Sequence, residues 1–268
     1  MNGASCFGDE QRKRNEKTSM QIVIAEDCED LSRLGAKEVS RIIAERPGAT
    51  LLVATGNTPM GVYQDLAHRR ETGMLDTASL RVFQLDEYIA LEQDDRRSLY
   101  GWTRRSFVDP LCIPLDQVTR LDATASDIHG ACSAYDAKIE AAGGIDLAIL
   151  GLGPNGHLGF NEPPSQPDAP TRIVDLTEES VASNAQYWGS RDLVPRQAMT
   201  AGMNVVLASR HTLLLVSGSH KRNILEQTVY GEVTSQIPSS YLQRASNVTV
   251  IADRQAWGNG ELAGADVS

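Results

Sequence analysis

The sequence predicts an α/β fold: a doubly wound, mostly parallel sheet with helices on both faces and a flap over the carboxyl edge of the strands. Three observations predict it. Short apolar runs recur at 21–25, 50–54, 80–85, 145–150, 212–217 and 248–252, each of strand length and continuous enough to be buried on both sides. Longer amphipathic stretches alternate with them, as parallel crossovers require. One segment, 163–196, breaks that rhythm.

Taken in order, the first crossover carries Leu31, Leu34, Val39, Ile42 and Ile43 on one helical face and stops at Pro47-Gly48. Comparable helices are expected over 59–70, 98–108, 127–142 and 220–230. The segment 163–196 holds Pro163, Pro164, Pro167, Pro170 and Pro195 and shows little strand-like character. A loop of that length in a compact domain is often a lid, here over a site at the carboxyl edge.

With 268 residues, 41% apolar and 22% charged, the chain can bury a large core. One domain over 20–268 is expected, after a polar tail over 1–19 that reads as disordered. A net charge of −10 argues against nucleic acid, which needs clustered cations to displace counterions. Small anions remain compatible. Cys6, Cys28, Cys112 and Cys132 form no CxxC pair and no zinc spacing, so reduced thiols and no metal are expected. No signal-length or membrane-length apolar run is present, which makes the cytoplasm the expected location and a membrane partner unexpected.

Four constellations carry chemistry. Thr55, Gly56, Asn57 and Thr58 join an apolar strand to a helix, with Thr58 expected as N-cap and Pro59 in the first helical position. Such a junction directs free N–H groups and a helix dipole at an anion, although a well-capped turn is the plain alternative. A second junction, 215–221, adds Lys221 in the next helical turn. A cation there opposes the dipole, which favours a phosphate ligand; a solvated surface lysine is the alternative. The strand at 82–85 runs into Asp86 and Glu87. A carboxylate past a strand end can abstract a carbon-bound proton, or it can cap a turn, and Asp86 is the better base candidate. Finally, 151–163 (GLGPNGHLGFNEP) gathers Asn155, His157 and Glu162 in a glycine-rich loop, where a neighbouring carboxylate or amide can set the histidine tautomer. Asp146, at the other end of that strand, reads as structural.

The motifs TGNTP, LDEY and GLGPNGHLGFNEP, in this order and spacing, resemble the glucosamine-6-phosphate deaminase and 6-phosphogluconolactonase superfamily. The resemblance covers about 21–253, and the LGFNEP run resembles the deaminase branch. It implies that Asp86 shuttles a proton between C2 and C1, that His157 assists ring opening with Glu162 behind it, and that Thr55–Thr58 and Lys221 hold a 6-phosphate. An amino-sugar phosphate substrate and no cofactor are implied, and a homo-oligomer stays open.

Three departures accompany the resemblance. Asn155 stands where an aspartate is usual, so His157 is expected to be less basic. Gln186 stands where a flap arginine helps hold phosphate, leaving Arg172, Arg191 or Arg196 as substitutes. A serine pair after the Asn-Glu-Pro is reduced to Pro164-Ser165, which argues against amino-sugar phosphate activation. The runs 155–159 (NGHLG), 143–147 (GGIDL) and 233–240 (VTSQIPSS) resemble the galactosamine-6-phosphate branch, leaving the epimer open.

Overall fold

The computed structural model describes residues 20–92 and 95–258; the predicted tail at 1–19 lies outside the described residues. The first half of the chain runs β1 (Gln21–Ala25), α1 (Cys28–Glu45), β2 (Thr50–Val53), α2 (Met60–Glu71), β3 (Arg81–Gln84), β4 (Asp86–Tyr88), α3 (Leu99–Thr103), β5 (Val118–Thr119) and α4 (Ile128–Ala141). The second half runs β6 (Leu147–Gly151), β7 (Arg172–Asp175), α5 (Glu178–Trp188), β8 (Gln197–Thr200), α6 (Met203–Ala208), β9 (Thr212–Val216), α7 (Arg222–Tyr230), β10 (Val248–Asp253) and α8 (Arg254–Trp257).

Seven strands pair in the order β1-β10-β9-β6-β2-β3-β5, and every pairing is parallel. The two faces follow from the period-two alternation of strands. Leu52, Ala148, Leu150 and Leu214 pack with Tyr135 of α4 and Leu225 of α7 in one core. Leu51, Val53, Ile149 and Leu213 pack with Leu31 of α1 and Leu66 of α2 in the other. All six predicted strands are therefore present within a residue or two of their predicted ends.

The chain leaves β2 toward β3 on one side and leaves β6 toward β9 on the other. Loops after β2 and β6 thus diverge and open a crevice at the carboxyl edge, the place where doubly wound sheets bind ligands. Asp146 lies at the opposite end. Its buried carboxylate accepts from Thr50 N at 2.8 Å and Arg210 at 2.9 Å, and also from Arg46, in keeping with a structural role.

The reading of 163–196 as lacking strand character requires correction. It contains β7 and α5, and β7 joins β4 and β8 in a second, antiparallel sheet ordered β4-β8-β7. Its prolines fall outside both elements. Thr177 begins α5 by accepting from Ser180 N, with Glu178 and Glu179 in the first turn favouring the positive helix end. A small core of Tyr88, Phe160, Leu176, Val181 and Trp188 fastens this unit beside the crevice.

Two local expectations also change. Thr58 does not cap α2, which starts at Met60 with no side-chain cap. Lys221 ends a short 3-10 turn, Ser219–Lys221, that precedes α7, so it stands ahead of the α-helical turn it was expected to occupy.

Candidate active site

A cavity of about 700 Å³ opens at the carboxyl edge and is lined by both strand–helix junctions, Asp86, His157 and one face of α5. Thr55, Gly56, Asn57 and Thr58 all reach it, as do Gly218 and Lys221. Gly56 has φ +95°, a left-handed conformation that favours glycine and turns the loop over the strand end. Asp253 orders the second junction by accepting from Ser217 Oγ at 2.5 Å and Gly218 N at 3.1 Å. Burial lowers the Lys221 pKa, and the negative charge of Glu179 works against that shift.

Asp86 and Glu87 separate cleanly. Glu87 accepts from the backbone N–H of Leu99 at 2.9 Å and of Tyr100 at 2.8 Å, so it caps α3 together with Ser98 and has no free role. Asp86 lines the cavity while remaining only 7% exposed. Burial, and secondarily the charge of Glu87, push its pKa up to about 7, a value that suits a carboxylate for proton transfer near neutrality.

His157 and Glu162 form a second acid–base unit. His157 Nδ1 lies 3.2 Å from Glu162 Oε2, which leaves Nε2 as the nitrogen free to act on a ligand. Gly153 permits the ring to lie there: a β-carbon at that position would stand 2.1 Å from His157 Cδ2 and 2.2 Å from Nε2. Glu162 is 6% exposed. Burial pushes its pKa up, but hydrogen bonding and charge from His157, with hydrogen bonds from Ser180 and Asn155, outweigh burial and hold it at about 2.

Asn155 acts on this pair through Glu162. Its Nδ2 donates to Glu162 Oε2 at 2.9 Å, and its Oδ1 accepts from His157 backbone N at 3.2 Å. Composition gave no sign of two further partners. Thr177 Oγ1 donates to the same Glu162 oxygen at 3.2 Å, and Ser180 Oγ lies 3.2 Å from His157 Nδ1. The amino end of α5 therefore docks directly on the histidine–carboxylate pair. The capping pattern Thr177-Glu178-Glu179-Ser180 was the available signal for a helix here.

The cations proposed to replace the flap arginine do not reach the cavity. Arg172 donates to Asn161 Oδ1 and Ser165 Oγ, both at 2.8 Å, because β7 turns it beneath the 151–163 loop. Arg191 and Arg196 both pair with Glu178. Gln186 lines the cavity, but its amide donates to Ser183 O of its own helix at 3.1 Å. Arg97 was not anticipated: it lines the cavity, pairs with Asp95 at 2.7 Å and lies 4.7 Å from the Trp188 ring centroid. It ties the 95–98 loop to α5.

The run 233–240 does not line the cavity. It supports the loop from below, with Ser239 N donating to Gly156 O at 2.8 Å and Ser165 N donating to Ser235 O at 3.1 Å.

Fold and site together define a doubly wound α/β protein whose switch-point cavity joins two strand–helix junctions, a buried carboxylate and a histidine–carboxylate pair. The chain belongs to the family of glucosamine-6-phosphate isomerases and 6-phosphogluconolactonases, whose sequence signature it matches over residues 25–251. It is 38% identical to a glucosamine-6-phosphate deaminase of Halothermothrix orenii over 88% of this chain and 98% of the relative. Identity to the corresponding enzyme of Corynebacterium kroppenstedtii is 40%, over 88% of this chain and 91% of the relative. A solved structure of a monomeric glucosamine-6-phosphate deaminase superposes with a TM-score of 0.86 at 33% identity, covering 88% of this chain and 98% of that one. The 6-phosphogluconolactonase of Trypanosoma brucei shares the fold, with a TM-score of 0.72 at 19% identity, over 89% of this chain and 98% of that one.

Proposed function

We propose that the protein is a glucosamine-6-phosphate deaminase, converting the 2-amino-2-deoxyhexose 6-phosphate to a ketohexose 6-phosphate and ammonia. The observation that carries the reading is the pairing, in one cavity, of a buried Asp86 with pKa about 7 and a histidine oriented by a carboxylate. His157 Nε2 moves the proton that opens the sugar ring, and Glu162 stabilises the charge His157 acquires. Asp86 takes the proton from C2 of the open-chain aldose as the C2 ammonium gives up one proton to O1, and it returns the C2 proton to C1 of the resulting enolamine. The C2 iminium that results adds water and expels ammonia. The backbone cradle of residues 55–58 and Lys221 hold the 6-phosphate, fixing C1 and C2 relative to Asp86.

The deaminase relatives support the gluco epimer. Of the runs that resemble the galacto branch, 233–240 stays outside the cavity lining whereas 155–159 contributes His157 and Gly159 to it, so the relatives carry the choice of epimer. Among the described residues no helix is long and apolar enough to cross a membrane.

Incubation with glucosamine 6-phosphate, its galacto epimer and 6-phosphogluconolactone tests the assignment. Ammonium release with kcat/KM highest for the gluco epimer is expected. Lactone hydrolysis without ammonium release overturns the reading.

A further inference from the structure

Arg172, Arg191 and Arg196 do not reach the cavity, yet among the polar residues that α5 places in it Tyr187 is held beside the proposed phosphate cradle. Tyr187 is half-buried, lines the cavity beside residues 55–58, and its ring packs edge-on against Trp102 at 5.0 Å between centroids. Trp102 in turn donates its Nε1 to Met60 Sδ at 3.1 Å, in the first turn of α2. This chain of contacts fixes Tyr187 relative to the loop that precedes α2. Burial, the larger influence, keeps the Tyr187 phenol protonated, and the Asn57 backbone works against that shift.

A protonated phenol has its O–H available for donation. A phosphate in the same cradle is the strong acceptor to which that proton can go. Two cationic alternatives are weaker. Arg97 already has Asp95 across its guanidinium and Trp188 against its face. Arg96 lines the cavity but is exposed, so water competes for its charge.

We propose that Tyr187 is a substrate-binding residue whose hydroxyl donates to the 6-phosphate, filling from α5 the role that Gln186 leaves open. The inference rests on residues 55–58 and Lys221 being the phosphate site. It makes the packing of α5 against the cavity part of substrate binding, since the same helix touches His157 through Ser180.

Tyr187→Phe keeps the ring contact with Trp102 and removes only the hydroxyl. Steady-state ammonium release should show KM for glucosamine 6-phosphate raised by about tenfold with kcat changed less than about twofold, as loss of one charge-assisted hydrogen bond implies. The inhibition constant of inorganic phosphate should rise by a similar factor. Lys221→Ala and Arg96→Ala are measured alongside. Unchanged KM and phosphate inhibition in Tyr187→Phe, with Lys221→Ala weakened, overturn the role of Tyr187 and leave the phosphate site standing. A rise in Arg96→Ala with none in Tyr187→Phe also overturns it. If neither Tyr187→Phe nor Lys221→Ala responds, the phosphate site itself is misassigned and the inference falls with it.

Discussion

His157 Nδ1 lies 3.2 Å from Glu162 Oε2, and the Asn155 amide donates to that same oxygen at 2.9 Å. The uncharged residue thus touches the carboxylate and reaches the imidazole ring only through it. Asn155→Asp would set a second negative charge against Glu162 and remove a donor, which makes the Glu162 carboxyl harder to ionise. Because ionised Glu162 orients the His157 ring, the acid limb of the kcat profile is expected to move upward. A profile measured from pH 5 to 10 checks this, and an unmoved limb means that the amide is not coupled to the histidine.

Asp86 is expected to impose an acid limb near pH 7 on kcat/KM, with activity rising as its carboxyl ionises. If the limb lies near the ordinary aspartate value, about 4, another group is the base.

The same burial has a stability consequence. A carboxyl whose folded pKa lies above its unfolded value favours the folded state while protonated, and that contribution disappears as pH rises through the folded pKa of about 7. Asp86→Asn should therefore be more stable than wild type at pH 8 by on the order of 1–3 kcal/mol, with a smaller difference at pH 5. Denaturant melts at the two pH values measure it. Equal differences at both would show that Asp86 is not held in its raised state.

Gly153→Ala is expected to fold and to lose most activity, because the added carbon meets the His157 ring at 2.1 Å and displaces it from Glu162. Ammonium release at least about a hundredfold below wild type, with an unchanged melting profile, is the predicted pair of results.

At the far edge of the sheet, Asp146→Ala should do the reverse. It removes the acceptor for Thr50 N, Arg46 and Arg210, at a cost of roughly 1–3 kcal/mol, and leaves KM and kcat near wild type. Loss of activity in a folded Asp146→Ala protein would contradict its structural assignment.

Six strands of the seven-stranded sheet were legible because they are continuous apolar runs, such as LLVA and DLAILG, that announce themselves without their partners; β5, two residues at the sheet edge, carries no such run. β4, β7 and β8 were not legible either. They are three or four residues long, sit in a small antiparallel sheet, and their pairing is decided by where Asp86 and Thr200 meet across the fold. Asp86, His157 and Glu162 were readable from their positions past strand ends. Thr177, Ser180 and Tyr187 were hidden because α5 lies at least 15 positions downstream of Glu162 and returns to the cavity only through tertiary packing. Arg172 misled for the converse reason: its charge was visible in the sequence, but its direction beneath the loop was not.

The most direct test of the proposed chemistry is ammonium release from glucosamine 6-phosphate by wild type and Asp86→Asn, with inorganic phosphate inhibition or binding measured on both. Wild-type turnover, a loss of at least about a thousandfold in the variant and retained phosphate binding are predicted. Undiminished ammonium release by Asp86→Asn would contradict the assignment of Asp86 as the base.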